Sequence, residues 1–176
     1  LIKPSQFLET LVKSKGFARP NLFALEIFPP EGLQIGSTTL EQLCNNVLST
    51  ELPGRAIDAQ QNVNGGYIPT QLPFNTSYQP LPVTFRCSGD LREKRFFEEW
   101  QKLIYNETTN TLGWYEDFIG SAEVSQLNRN GKVLATYHMY EVWPGPINSI
   151  TVSHDTTDSI SEIQVSLYYR NYRLVK

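Results

Sequence analysis

This chain has little of what site chemistry is usually made from. Of its 176 residues only two are histidine and two are cysteine. His138 falls inside an alternating strand pattern, where packing or solvent contact is expected, and His154 stands beside Asp155 at a strand end. Ser153-His154-Asp155 has the residue types of a hydrolytic triad, but neighbours in sequence cannot meet its geometry. A metal centre needs several converging His, Cys or carboxylate ligands, and no such spacing occurs. Gly65-Gly66 lacks the Lys and Ser/Thr of a phosphate loop. Glu98-Glu99 lie side by side on a helical pattern, where neighbours do not face each other, and read as a solvated face. The sequence therefore predicts no catalytic, cofactor-binding or metal-binding residue.

Positive charge is also scarce. Fifteen Lys and Arg stand against 18 Asp and Glu, for a formal charge of −3 and a pI near 5.4. Proteins that grip nucleic acid through phosphates carry a basic surplus or stripe, so tight DNA or RNA binding is not expected. No apolar run is long enough to span a bilayer. The start of the chain, at Leu1 rather than Met, lacks a basic-then-apolar leader pattern. Cys44 and Cys87 are far apart. Cys87 sits in the apolar register of a strand, which predicts a small buried thiol in a reducing cytosol. The sequons at Asn75 and Asn106 are of a kind that recurs by chance.

Strand patterning is abundant. From Tyr115 to Arg173 the chain reads as three polar-faced β units. A hairpin over Ser121–Val142 turns at Asn130-Gly131, a pair that tolerates the positive φ of a type I′ turn. Trp143-Pro144 and a short strand over Ile147–Ser153 follow. A long strand, Ile160–Tyr172, then puts Ile163, Val165, Leu167 and Tyr169 on one face and Gln164, Ser166, Tyr168 and Arg170 on the other. Earlier in the chain, Leu22–Phe28 alternates and stops at Pro29-Pro30, and Leu81–Ser88 alternates with Val83, Phe85 and Cys87 on one face. Ser5–Lys15 has the spacing of a short amphipathic helix ended by Gly16. Leu40–Leu48 fits strand or helix. Glu31–Tyr78, dense in Gly, Pro and Asn, reads as a long irregular connection of the kind that forms interfaces.

One helix is clear. Asp90 as N-cap with Glu93 three residues on makes a capping-box pattern, and Phe96, Phe97, Trp100, Leu103 and Ile104 form one apolar stripe. Charged residues cover the other sides, with Glu98 and Lys102 spaced as an i,i+4 pair. The helix is expected to seal one open face of a sheet, with Phe97 and Trp100 contributing about 2–3 kcal/mol each. The fold class that emerges is mainly β: an antiparallel sandwich or barrel with one flanking helix, in a single domain over 1–176.

Three segments carry a family resemblance. Phe17-Ala18-Arg19-Pro20-Asn21-Leu22-Phe23 resembles the N-terminal signature of tail tube proteins from contractile-tailed bacteriophages. Arg95-Phe96-Phe97-Glu98-Glu99-Trp100-Gln101 is similar to the helix those proteins carry after their central strand. Tyr140–Tyr172, with Trp143-Pro144 and its alternating last strand, resembles their C-terminal end. The resemblance implies a structural virion protein forming hexameric stacked rings, a tail tube through which DNA passes without specific binding. The partners it implies are copies of itself and other tube, baseplate or sheath proteins, with assembly in the host cytoplasm and no cofactor.

Main tube protein and baseplate-proximal tube initiator both fit; Leu91–Phe97 and Tyr115–Phe118 look somewhat like initiator segments. Subunit contacts are expected at Phe17, Arg19, Pro20, Asn64, Tyr67, Phe74 and Trp143. Glu123, Ser125, Gln164, Ser166 and Arg170 are expected on strand faces that line the lumen or the outer surface. The inner tube of a contractile injection system is a related reading. Two other classes are weighed beside it. A β-sandwich binding module of a cellular protein would expose aromatics at Trp143, Tyr168, Tyr169 and Tyr172. An enzyme would need a pocket with a strongly perturbed titrating pair.

Overall fold

Alternation decides the first strand. In a computed structural model, which describes residues 20–33, 36–62, 70–150, 152–153 and 160–175, Phe23–Phe28 forms β1 with Leu25 and Ile27 buried and Glu26 and Phe28 exposed. Pro29-Pro30 ends it, as expected. The ambiguous Leu40–Leu48 stretch resolves into both alternatives: helix α1 (Ser37–Asn45), then strand β2 (Val47–Thr50). The helix expected over Ser5–Lys15 lies outside the described residues.

The largest departure comes next. Where an irregular connection was expected, Arg55–Asn62 (β3) and Thr70–Tyr78 (β4) pair as a two-stranded antiparallel ribbon. Pro73 sits inside β4, a residue that cannot donate to a ladder and is confined to edges and bulges. The register shifts just there, from Asp58 opposite Asn75 to Ala59 opposite Pro73, so Phe74 is the bulged residue without a partner.

Strand β5 (Leu81–Arg86) leads into helix α2 (Arg92–Ile104), whose Phe96, Phe97 and Trp100 are buried. Its start differs from the expected capping box. Leu91, not Asp90, takes the N-cap position, in left-handed geometry with φ 53°, and no side chain caps it. That tight turn brings Ser88 beneath the helix, and Glu93 reaches back to it. Glu98 meets Lys94 at 3.5 Å rather than Lys102. After α2 comes a small ribbon, β6 (Tyr105–Asn106) with β7 (Thr111–Leu112), followed by a single helical turn, α3 (Tyr115–Phe118).

The predicted hairpin is present as β8 (Gly120–Leu127) and β9 (Val133–Ile147). Its turn is longer than a two-residue type I′ turn, because only Gly131 has positive φ (71°). Asn128 organises it: its Oδ1 accepts the backbone N–H groups of Asn130 (2.8 Å) and Lys132 (2.9 Å). A strand over Ile147–Ser153 does not form among the described residues; β9 instead runs unbroken through Trp143-Pro144 to Ile147. Beyond Val142 its partner β8 has ended, so β9 is an edge strand there and tolerates Pro144 and Pro146. The long last strand is interrupted at Tyr169-Arg170, giving β10 (Glu162–Tyr168) and β11 (Asn171–Leu174), and the alternation through Ile163, Val165, Leu167 and Tyr169 is as expected.

The main sheet has the strand order β1-β8-β9-β10-β5-β2, with β11 also on β9. This path stays open, so the described residues form no closed barrel, which corrects that half of the sandwich-or-barrel expectation. The sheet bends at Glu141, which has φ 54° and is skipped by the ladder between Gly120–Val142 and Ser121–Tyr140. The inward faces of both halves and the stripe of α2 share one core, from Leu25 and Val124 through Val83 and Phe85 to Trp100 and Leu167.

Candidate assembly surfaces

Outward of that core, the half-sheet of β1, β8, β9 and β11 presents a polar face. The ladder register places Glu26, Glu123, His138 and Arg173 across one row. His138 Nδ1 meets Glu123 Oε1 at 2.7 Å, Ser125 and Thr136 share a hydroxyl bond of 2.9 Å, and the Arg173 guanidinium lies over the Tyr140 ring. At the bend, Glu141 accepts the Tyr115 hydroxyl (2.7 Å) and Arg170 Nη1 (2.8 Å). The Tyr115 bond and then the Arg170 bond hold the Glu141 carboxyl below the usual carboxylate range. Gln164 is exposed and Ser166 half-buried on the outward face of β10. The five residues expected on strand faces are therefore on strands or, for Arg170, at the break between two, none of them in the core. The structure does not bring them into one cluster.

The β3–β4 ribbon is a second surface. Its root is anchored by Tyr78, whose ring lies 5.9 Å from that of Tyr169 and 5.8 Å from that of Tyr172. The buried Tyr169 donates its hydroxyl to Gly54 O (3.3 Å). Burial and then the neighbouring Tyr172 push the Tyr169 phenol up to about 12. Beyond this root nearly every residue is exposed, including Ile57 (60 %), Leu72 and Phe74 (75 %). From Ala59 to Phe85 there is no Asp, Glu, Lys or Arg. Edge strands in natural proteins are normally protected by charge, covering or closure. Between Ala59 and Asn62 on one edge and Thr70 and Tyr78 on the other, this ribbon has no such charge. Of the expected contact residues, Phe74 lies on it; Asn64 and Tyr67, like Phe17 and Arg19, fall outside the described residues. Pro20 is exposed just before β1.

Trp143 is half-buried, stacked on Tyr168 with centroids 4.6 Å apart and planes at 19°. Gly145 makes that stack possible, since a Cβ there would stand 2.1 Å from the Tyr168 ring. With Tyr169 in the core as well, the aromatic patch expected of a cellular binding module at Trp143, Tyr168, Tyr169 and Tyr172 is not exposed. The most exposed aromatic among the described residues is one that sequence reading missed: Trp114, 82 % exposed, after Leu112 at 76 %. No charge occurs from Thr108 to Tyr115, which is the signal that marks it.

Among the described residues one carboxylate is buried. Glu93 accepts the Ser88 backbone N–H (2.9 Å), the Ser88 hydroxyl (2.6 Å) and Asn46 Nδ2 (2.7 Å), tying α2 to the ends of β5 and α1. Burial pushes its pKa up, but these hydrogen bonds outweigh burial and leave it lowered. Its three donors are a backbone amide, a hydroxyl and a side-chain amide, and its charge, after burial, helps raise the nearby Cys87 thiol. Cys87 is half-exposed past the end of β5 rather than buried, and burial raises both thiol pKa values. No group of three or more His, Cys, Asp or Glu able to hold a metal occurs among the described residues. No helix among them is long and apolar enough to cross a membrane.

Compared with known families, residues 18–175 match the model described as phage tail tube protein. The chain belongs to the phage tail tube protein family. It is accordingly a structural, non-enzymatic protein of a tail tube. No curated protein sequence matches it. Among solved structures it is similar to a chain from the sheath/tube terminator of PVC, an extracellular contractile injection system, in the extended state: TM-score 0.64, 12 % identity, covering 90 % of this chain and 96 % of that one. A chain from the tube-terminating cap of the anti-feeding prophage gives a TM-score of 0.63 at 14 % identity, covering 90 % of each chain. A chain from the PVC sheath-tube complex in the extended state gives 0.59 at 14 %, covering 99 % and 98 %. At such identities the likeness shows the fold, an open bent antiparallel sheet with few helices.

Proposed function

We propose that this tail tube protein assembles with copies of itself into hexameric rings that stack as the inner tube of a contractile phage tail, a conduit for DNA ejection. The observation that carries this is the β3–β4 ribbon, an exposed pair of strands that carries no charge from Ala59 onward and leaves Ile57, Leu72 and Phe74 in water. Such a ribbon is an aggregation hazard in a monomer and an interface in an assembly. A ring of identical subunits supplies its cover through heterologous contacts, in which one surface of each copy meets a different surface of the next. Pro20, Phe74 and Trp143, with Phe17, Arg19, Asn64 and Tyr67, are the subunit contacts in this reading. The polar strand faces bearing Glu123, Ser125, Gln164, Ser166 and Arg170 meet the lumen or the outside. A mildly acidic wall repels phosphates and lets DNA slide.

The reading covers main tube protein and baseplate-proximal tube initiator, assembled in the host cytoplasm and contacting sheath, baseplate or other tube proteins. The inner tube of a contractile injection system is the second reading, favoured by the solved structures of similar fold. Electron microscopy of the concentrated protein tests the proposal. Six-fold annuli and stacks of them are expected. Protein that stays monomeric at high concentration, in particles as in solution, refutes it.

A further inference from the structure

The β3–β4 ribbon leaves the polar half-sheet unexplained, and there the two ends differ in charge. At one end the β8–β9 turn exposes Arg129 and Lys132. At the other end, past the pairs Phe28–Ser121 and Ser121–Tyr140, lies an open cleft of about 800 Å³. Its floor is largely apolar, built from Phe28, Pro29, Leu103, Ile119 and Tyr140. Its rim carries Glu31, Glu116 and Asp117, all exposed. No described residue forms an ion pair with these three carboxylates, nor with Arg129 or Lys132. Glu141, also at the cleft, is already held by Arg170 and Tyr115. Two uncompensated surfaces of opposite sign therefore stand at opposite ends of one ladder. Eight residues of β8 at about 3.3 Å each separate them by about 25 Å.

We propose that the cleft between Phe28–Gly32 and α3 receives the Asn128–Lys132 turn of a second copy, joining copies end to end along the strands of this half-sheet. The complementarity of charge selects the occupant, and the apolar floor gives the carbon stems of Arg129 and Lys132 surface to cover. The turn is already shaped before it docks, because Asn128 Oδ1 and the Gly131-to-Asn128 backbone bond (3.0 Å) fix its conformation in the free chain. Because turn and cleft are different surfaces at opposite ends, the contact is heterologous. Copies joined end to end leave one turn and one cleft free at the two ends of the array, so the contact propagates. Resting on the tube reading, it deepens that reading by assigning ring stacking to this pair and leaving the β3–β4 ribbon to other contacts.

Charge reversal tests it. A chain carrying Arg129→Glu and Lys132→Glu, and a second carrying Glu31→Lys, Glu116→Lys and Asp117→Lys, are compared with the unaltered protein. All five side chains are exposed, and circular dichroism verifies the fold. Electron microscopy and sedimentation separate single rings from stacks. Each reversal is expected to lower the stacked fraction at least tenfold while leaving single rings, and the chain carrying all five changes is expected to stack again. Stacking untouched by either reversal, or still lost when both are combined, overturns the pairing. Unaltered protein that forms no ring at all refutes the tube reading itself, so the two failures are distinguishable.

Discussion

Replacing Trp100 tests whether α2 seals the core. Its side chain is fully buried, its ring packs edge-on against Phe96 with centroids 5.8 Å apart, and its Nε1–H donates to Phe118 O at 2.7 Å. Trp100→Ala removes the indole, and truncating a buried aromatic costs about 3–5 kcal/mol. Trp100→Phe separates the two contributions. Most of the ring volume stays, while the Phe118 carbonyl loses its donor, for about 1–2 kcal/mol. Urea unfolding followed by far-UV circular dichroism reads both. With a slope of about 2 kcal/mol per molar, the Ala variant should unfold about 2 M earlier at unchanged slope. Association stabilises the folded state by mass action, so the comparison belongs at dilutions where the protein is monomeric. An Ala variant losing less than about 0.5 kcal/mol refutes the reasoning, since the helix would then lie free of the domain. A Phe variant losing as much as Ala shows that the hydrogen bond, not the ring, dominates.

Three further outcomes follow from the same geometry. The Glu93 pKa is lowered on folding, so its contribution is present above the unfolded carboxylate pKa and is lost as pH falls through the folded one; Glu93→Gln should therefore be less stable by about 1–3 kcal/mol at pH 7, with the gap to the unaltered chain narrowing in acid. A constant gap down to pH 3 in urea titrations contradicts that assignment. Gly145→Ala places a Cβ 2.1 Å from the Tyr168 ring and should cost about 1–3 kcal/mol while breaking the Trp143–Tyr168 stack, seen as a change in near-UV circular dichroism; an unchanged spectrum refutes it. Replacing residues 59–74 by a short turn should leave a folded monomer and abolish ring formation, and rings of normal yield from that chain in electron micrographs count against the ribbon as an interface.

How much of this was legible beforehand depended on burial. Strands with one face in the core announce themselves by alternation, and so β1, β5 and β10 were found, with Val83, Phe85, Ile163, Val165 and Leu167 inward as expected though Cys87 was not, and β8 was found as part of its hairpin. Helix α2 was found for the same reason at a period of 3.6. Where the backbone does something unusual, the sequence misled. Leu91 in left-handed geometry moved the helix start off Asp90, and the unpaired edge of β9 let Pro144 and Pro146 pass inside a strand. Glu141 bends the sheet at a residue type that carries no hint of positive φ.

The β3–β4 ribbon escaped for the opposite reason. With neither face in a core, nothing in the monomer forces apolar and polar residues to alternate, and Pro73 with the Asn-rich flanks reads as loop. What marks it is an absence: 27 residues, Ala59 to Phe85, without a single charge, in a chain that is 19 % charged. A solvent-exposed loop gains solubility and loses nothing by carrying Lys or Glu. Exposed strands that lack them have no protection of their own against pairing with other chains. The same absence over Thr108–Tyr115 accompanies Trp114. In the proposed tube, missing charge on an exposed segment is the trace of an assembly surface, whereas alternation is the trace of a core. The turn-to-cleft pairing leaves a third kind, unmatched charges of opposite sign at two ends of one ladder, which only the register of β8 on β9 makes visible.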